Sequence, residues 1–223
     1  MRSNMKVLSV NVGLPRDVAR NGRTVTTGIY KSPVAGGVRV TRTGLQGDGQ
    51  ADLSVHGGEF KAVYAYPVEH YAYWRERQAG MDGGYGVFGE NLTVEGLLEH
   101  EVRIGDCLRV GGTELVVTDP RFPCHKLGLR FGDASMVKRF LDSGRTGFYL
   151  SVAREGELKA GDVIERIGRG AGTLTVADVV RLKSDAPDDI ELLRRAVANS
   201  ALPERRRSEF EERLRRLDGR RAD

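Results

Sequence analysis

A mainly β fold with helices added, α+β in class, is what this sequence predicts, and three observations carry that reading. Up to about residue 170 the chain runs in short β-branched segments separated by glycines, of which there are 29 in 223 residues, well above a background of about 7%. These glycines have no fixed period, so they mark turns and close backbone approaches rather than a linker or a fibre. A hairpin is legible where Val102, Ile104, Leu108 and Val110 alternate with Arg103 and Arg109 ahead of Gly111-Gly112, the kind of turn that joins antiparallel strands. Beyond the glycine-rich joint at 168–172 the texture becomes helical, and such a switch marks a domain boundary.

The elements follow in order. Strands are expected over 6–12, 25–30, 37–43, 61–66, 91–94, 102–110, 114–118 and 148–153, and many short strands at close spacing suggest a barrel-like sheet. Two helices interrupt them. In 67–79, Pro67 takes the first helical position and Gly80 follows the end, the expected asymmetry. In 134–143, Asp133 reads as the N-cap, Met136, Val137, Phe140 and Leu141 form an apolar stripe, and Gly144 closes the helix. Three further helices are expected at 176–183, 189–199 and 203–217, the last with Phe210, Leu214 and Leu217 on one face. The expected domains are therefore residues 1–168 and a three-helix unit at 173–223, the latter small enough to need its neighbour's core.

Composition excludes several classes of function. With 39% hydrophobic and 30% charged residues the chain is globular rather than disordered. No apolar run reaches the roughly 18 residues of a spanning helix, and the apolar stretch Val7-Leu8-Ser9-Val10 is too short for a signal peptide. No membrane association is expected, and the expected compartment is the cytoplasm. The net charge of +4 is only mildly basic. Arginines are dense after residue 203, but Glu209, Glu211 and Glu212 interleave with them, the pattern of a solvated helix face rather than a nucleic-acid surface. The tail is better suited to docking an electron donor or a second copy of the chain, as a homo-oligomer. Only Cys107 and Cys124 are present, too few for a disulfide scaffold or an iron–sulfur cluster.

Two segments carry candidate chemistry. In His56-Gly57-Gly58-Glu59-Phe60-Lys61 the glycines let backbone N–H groups approach a ligand, and Lys61 can pair with a phosphate. In Pro120-Arg121-Phe122-Pro123-Cys124-His125-Lys126 two prolines stiffen a loop in which Arg121 and Lys126 flank a thiol. Nearby cations favour the thiolate, the form that attacks or binds a soft metal. Cys107, mid-strand and without that setting, reads as structural. Gly84-Tyr85-Gly86-Val87-Phe88-Gly89 matches the dinucleotide-binding spacing, yet it follows a helix and precedes a strand, the reverse of what that fingerprint requires. The Cys124 loop leaves three chemistries open: a cysteine hydrolase with His56 as base, a sulfur carrier with a Cys124 persulfide, and a metal held mainly by a phosphate-bearing organic cofactor. Zinc-type ligand spacings are absent from the sequence.

Taken in order, Thr27-Gly28-Ile29-Tyr30-Lys31, Gly44 through Asp52, His56-Gly57-Gly58 through Pro67, Phe88-Gly89-Glu90-Asn91-Leu92, Ile104-Gly105-Asp106 and Pro120 through Leu127 resemble the MOSC domain, the molybdenum cofactor sulfurase C-terminal domain, in its YiiM type. The helical tail resembles the three-helix domain that follows MOSC in that group. The resemblance implies a β-barrel-like core and a molybdenum–molybdopterin cofactor whose metal is bound by Cys124. It also implies a pocket formed by Thr27, Lys31, His56, Asn91, Arg121 and Lys126, with Lys61 beside them. The implied activity is reduction of N-hydroxylated compounds, including hydroxylaminopurine-type base analogues, and so detoxification. With no flavin or nicotinamide site in the sequence, electrons are expected from a separate electron-transfer protein.

Overall fold

The strands assemble into one eight-stranded sheet with a three-stranded and a two-stranded sheet beside it, seen in a computed structural model that describes residues 5–20, 22–51, 58–79, 81 and 84–222. The strands are β1 (Lys6–Val12), β2 (Arg16–Arg20), β3 (Arg23–Thr27), β4 (Ser32–Pro33), β5 (Val38–Thr41), β6 (Gly44–Leu45), β7 (Val63–Pro67), β8 (Leu92–Glu95), β9 (Cys107–Val110), β10 (Thr113–Pro120), β11 (Phe148–Arg154), β12 (Gly156–Leu158) and β13 (Ile164–Gly168). The helices are α1 (Glu69–Arg75), α2 (His125–Phe131), α3 (Met136–Asp142), α4 (Val176–Arg181), α5 (Ile190–Ala198) and α6 (Glu204–Ala222).

Eight strands pair in the order β13-β9-β10-β11-β7-β8-β1-β4. Within this sheet only β7 and β8 run parallel, and the crossover that parallel pairing demands is α1 with the turns that follow it. The two edges of the sheet meet over a short stretch: Val7 N donates to Asp162 O at 2.9 Å, Gly161 N to Val7 O at 2.8 Å and Ile164 N to Met5 O at 2.8 Å. The sheet is thus barrel-like, as expected from the sequence.

Two apolar clusters hold the fold. The larger runs from the sheet interior (Val10, Leu92, Leu115, Phe148) into the C-terminal helices through Val176, Val179, Leu193 and Phe210. The smaller is aromatic and joins Tyr66, Tyr71, Trp74, Phe88 and Phe140, with Trp74 Nε1 donating to the Tyr66 hydroxyl at 2.8 Å.

Several boundaries differ from the sequence reading. The strand expected over 102–110 begins only at Cys107, because Asp106 is fully buried and bends the chain ahead of it. Its carboxylate accepts from Arg103 N at 3.2 Å and Gly170 N at 3.0 Å and pairs with Arg166 and Arg169, pinning the glycine joint. Pro67 does not open a helix but ends β7 opposite Val94; Gly80 lies outside the described residues. Ser135, not Asp133, is the N-cap of α3; Asp133 Oδ1 instead accepts from Ser135 N and Oγ at 2.9 and 2.7 Å. The loop around Cys124 proves to be the entry to a helix, α2, that the sequence reading lacked.

Candidate functional site

Strand pairing brings four distant residues into one rung. Asn91 N donates to Tyr64 O at 2.8 Å, Tyr64 pairs with Tyr149 across β7 and β11, and Tyr149 pairs with Asp119 across β11 and β10. The ends of these neighbouring strands converge on a cleft that is open to solvent at its mouth. Of the eight residues that the sequence singles out, seven line it: Thr27, Lys31, Lys61, Asn91, Arg121, Cys124 and Lys126. His56 lies outside the described residues. Asp48, Tyr64 and Tyr149 also line the cleft and were missed. Asp48 stands in Gly47-Asp48-Gly49, a turn signal that concealed it, and the tyrosines read as ordinary strand residues.

Each side chain is held by a local reason. Thr27 ends β3, and its hydroxyl accepts from Ile29 N at 3.2 Å. Lys31 forms a buried ion pair with Asp48, whose carboxylate also accepts from Gly13 N at 3.0 Å and from Asn91 Nδ2 at 2.8 Å. Asn91 Oδ1 accepts from Tyr64 N at 3.1 Å, so its amide ties β7 to the Asp48 turn. Lys61 closes a 3₁₀ turn (Glu59–Lys61) behind Gly58. Gly89, at φ +81°, needs to be glycine: a Cβ there would stand 2.9 Å from Ile29 Cγ1. Glu90 beside it is fully buried and accepts from Gly86 N, Phe88 N and Thr93 Oγ1 at 2.9–3.0 Å and from the Tyr71 hydroxyl. The 84–89 glycine run is therefore a turn wrapped on a carboxylate, not a dinucleotide loop.

The cysteine segment follows β10. Arg121 N donates to Gly147 O at 3.2 Å, and Cys124, in extended backbone, is the N-cap residue of α2 with its carbonyl accepting from Leu127 N at 2.9 Å. Lys126 is carried on the first turn of this helix, while His125 is exposed. Cys107 begins β9 away from the cleft, and burial pushes its thiol up.

Electrostatically the cleft wants an anion. Four cations and one carboxylate line it among the described residues. Arg121 is 6% exposed, and its Nη1 has no hydrogen-bond partner. Its guanidinium lies 5.4 Å from the Tyr64 ring centroid and 5.3 Å from that of Phe140. Burial opposes its charge, but Tyr64, Tyr149 and Cys124 around it outweigh burial and raise its pKa. Burial lowers the Lys31 pKa against the pull of Asp48, and lowers that of Lys61 against the pull of Asp119. Burial also raises the Tyr149 pKa, with Arg121 opposing, so this hydroxyl keeps its proton at neutral pH. A buried guanidinium with an open N–H is a ready donor to phosphate or carboxylate. The accompanying thiol adds one soft metal ligand or nucleophile.

Fold and cleft together are those of a barrel-like protein with a basic, thiol-bearing pocket at one rim and a helical unit packed behind it. The chain belongs to the MOSC domain family, which matches residues 52–165, and its tail matches the YiiM-like 3-alpha helix domain over residues 174–217. It is 39% identical to the uncharacterized protein YflK of Bacillus subtilis, over 95% of each chain. It is 35% identical to a protein of Gibberella moniliformis named "Reductase", over 79% of this chain and 32% of that one. The crystal structure of YiiM from Geobacillus stearothermophilus superposes with a TM-score of 0.79 at 33% identity, covering 94% of this chain and 99% of that one.

Proposed function

We propose that this chain is a reductase of N-hydroxylated compounds, using a molybdenum cofactor held in the cleft and electrons from a separate protein. The observation that carries it is the pairing of Cys124 with the buried, open-handed Arg121 on the same cleft wall. The donor set fits such a group. Among the described residues no cluster of three or more His, Cys, Asp or Glu is placed to hold a metal ion, so a metal here would draw its other ligands from an organic cofactor. Arg121, Lys61 and Lys126 would hold the cofactor's anionic end, and Cys124 would supply one thiolate to molybdenum.

Bound there, the cofactor supplies the redox couple for a two-electron reduction. The balance is R–NHOH plus two electrons and two protons, giving R–NH₂ and water. The chain's own part is positional. Thr27 and the Lys31–Asp48 pair form a fixed polar wall of the cleft, which Tyr149 also lines with a hydroxyl whose pKa burial raises. The relative named a reductase supports the redox reading.

Protein expressed in a host that makes the cofactor should contain molybdenum and pterin, and should convert a hydroxylaminopurine to its amine once given reduced donor. Cys124→Ser should lose most of the metal. Equal molybdenum in variant and parent would remove Cys124 as the ligand, and a labile persulfide on Cys124 without pterin would replace this reading with sulfur delivery.

A further inference from the structure

Three consecutive carbonyls of one turn carry the wall on which Arg121 rests. Between α3 and β11, Arg145 O accepts from the Tyr66 hydroxyl at 3.2 Å and Thr146 O from the Tyr64 hydroxyl at 2.8 Å. Gly147 O accepts from Arg121 N at 3.2 Å. The Arg121 guanidinium, with its open Nη1, stands over the rings of Tyr64 and Phe140 at 5.4 and 5.3 Å. Its place in the cleft therefore depends on where its own backbone and the Tyr64 ring are held, and both hang on residues 145–147.

A buried carboxylate outside the cleft anchors that turn. Glu99 is 4% exposed. Its Oε1 accepts from Gly147 N at 2.7 Å, and its Oε2 lies 2.7 Å from Nε2 of His70 on α1. Burying a carboxylate is costly unless its oxygens are bonded; here one oxygen holds the turn and the other is oriented by the imidazole. The backbone of Glu99 is fixed by the helical unit, since Ala177 N of α4 donates to Glu99 O at 3.0 Å. Neither Glu99 nor His70 lines the cleft. We infer that Glu99, oriented by His70, is a positioning residue for the cleft: by holding the 145–147 turn it sets Arg121 and the Tyr64 ring where an anionic ligand meets them. This rests on the cleft being the functional site, but not on what the cleft holds.

Cys124 is close enough to Arg121 for their charges to interact, so its thiolate reports where that guanidinium stands. The test uses the full-length chain in a Cys107→Ser background, so that a single thiol reports. Alkylation rates with iodoacetate and with its neutral analogue iodoacetamide are compared, their ratio measuring local positive potential. Arg121→Gln sets the scale and should lower the ratio about five-fold. Glu99→Leu should lower it about two-fold or more. Glu99→Gln, whose amide oxygen still accepts from Gly147 N, should keep the parent ratio or exceed it. The sign is diagnostic: losing the field of a carboxylate would by itself raise the ratio, so a fall means that Arg121 has moved. Arg213→Gln, which removes α6 contacts to the carbonyls of Leu182 and Pro187, should lower the melting temperature and leave the ratio unchanged. A ratio in Glu99→Leu at or above that of the parent, or a fall in Glu99→Gln as large as in Glu99→Leu, overturns the inference. Should Glu99→Leu fail to fold, Glu99→Asp carries the same prediction at smaller size, since the shorter side chain keeps the charge but does not reach both partners. Molybdenum content does not enter this readout, so failure of the cofactor reading would be seen separately.

Discussion

Lys31 and Asp48 form an ion pair in the cleft wall with side chains only 7% and 6% exposed. Desolvating two charges is costly, and the pair persists because Asp48 also accepts from Gly13 N and Asn91 Nδ2. Removing one partner strands the other, so Lys31→Met should destabilise the chain by roughly 3–5 kcal/mol in urea unfolding. Lys31→Met/Asp48→Asn should recover much of that loss; a double variant as unstable as the single one would show that packing, not charge, sets the cost. At this scale the sequence was informative where chemistry is local. Arg121, Cys124 and Lys126 lie within six residues, and their association is legible without a fold. Tyr64, Tyr149 and Asp119 become neighbours only through the register of β7, β11 and β10, which no local pattern encodes.

Among the elements, α4 begins where the sequence reading placed it, at residue 176. Thr175 caps α4 by accepting from Asp178 N at 3.1 Å, while Asp178 Oδ2 accepts from Thr175 N at 3.1 Å and from Arg195 at 3.0 Å. Such reciprocal capping satisfies two otherwise orphaned donors. Thr175→Ala should cost about 1 kcal/mol and Asp178→Ala more, since Arg195 also loses its partner; equal losses in thermal unfolding would show that the Arg195 contact contributes nothing. The missed α2 has the opposite character. Gly128 lies in its middle, a poor helix former, yet a Cβ there would stand 3.0 Å from Asp133 O and 3.1 Å from Ala134 Cα. The close turn into α3 requires the residue that hides the helix. Strands β4 and β6 have two residues each, too few to show any period.

At the scale of the molecule, the boundary drawn from texture at 168–172 is crossed by a shared core. Phe210 on α6 is fully buried in the same apolar cluster as Leu115 and Phe148 of the sheet, and Arg206 on the same helix grips Asp119 of β10. Sequence composition registers the change from strands to helices but not that both halves bury their apolar faces against each other. Cooperative unfolding follows from that arrangement. Phe210→Ala should cost roughly 3–5 kcal/mol, the price of a large cavity in a closed core. The chain's single tryptophan, Trp74, sits in the other, aromatic cluster and so reports on the sheet side. If the helical unit and the sheet unfold together, Trp74 fluorescence and far-ultraviolet circular dichroism should shift to lower urea by the same amount in Phe210→Ala. A shift confined to the helical signal, with the Trp74 transition unmoved, would mean that the sheet folds without its helical partner and that the grip of α6 on the cysteine segment is dispensable to it.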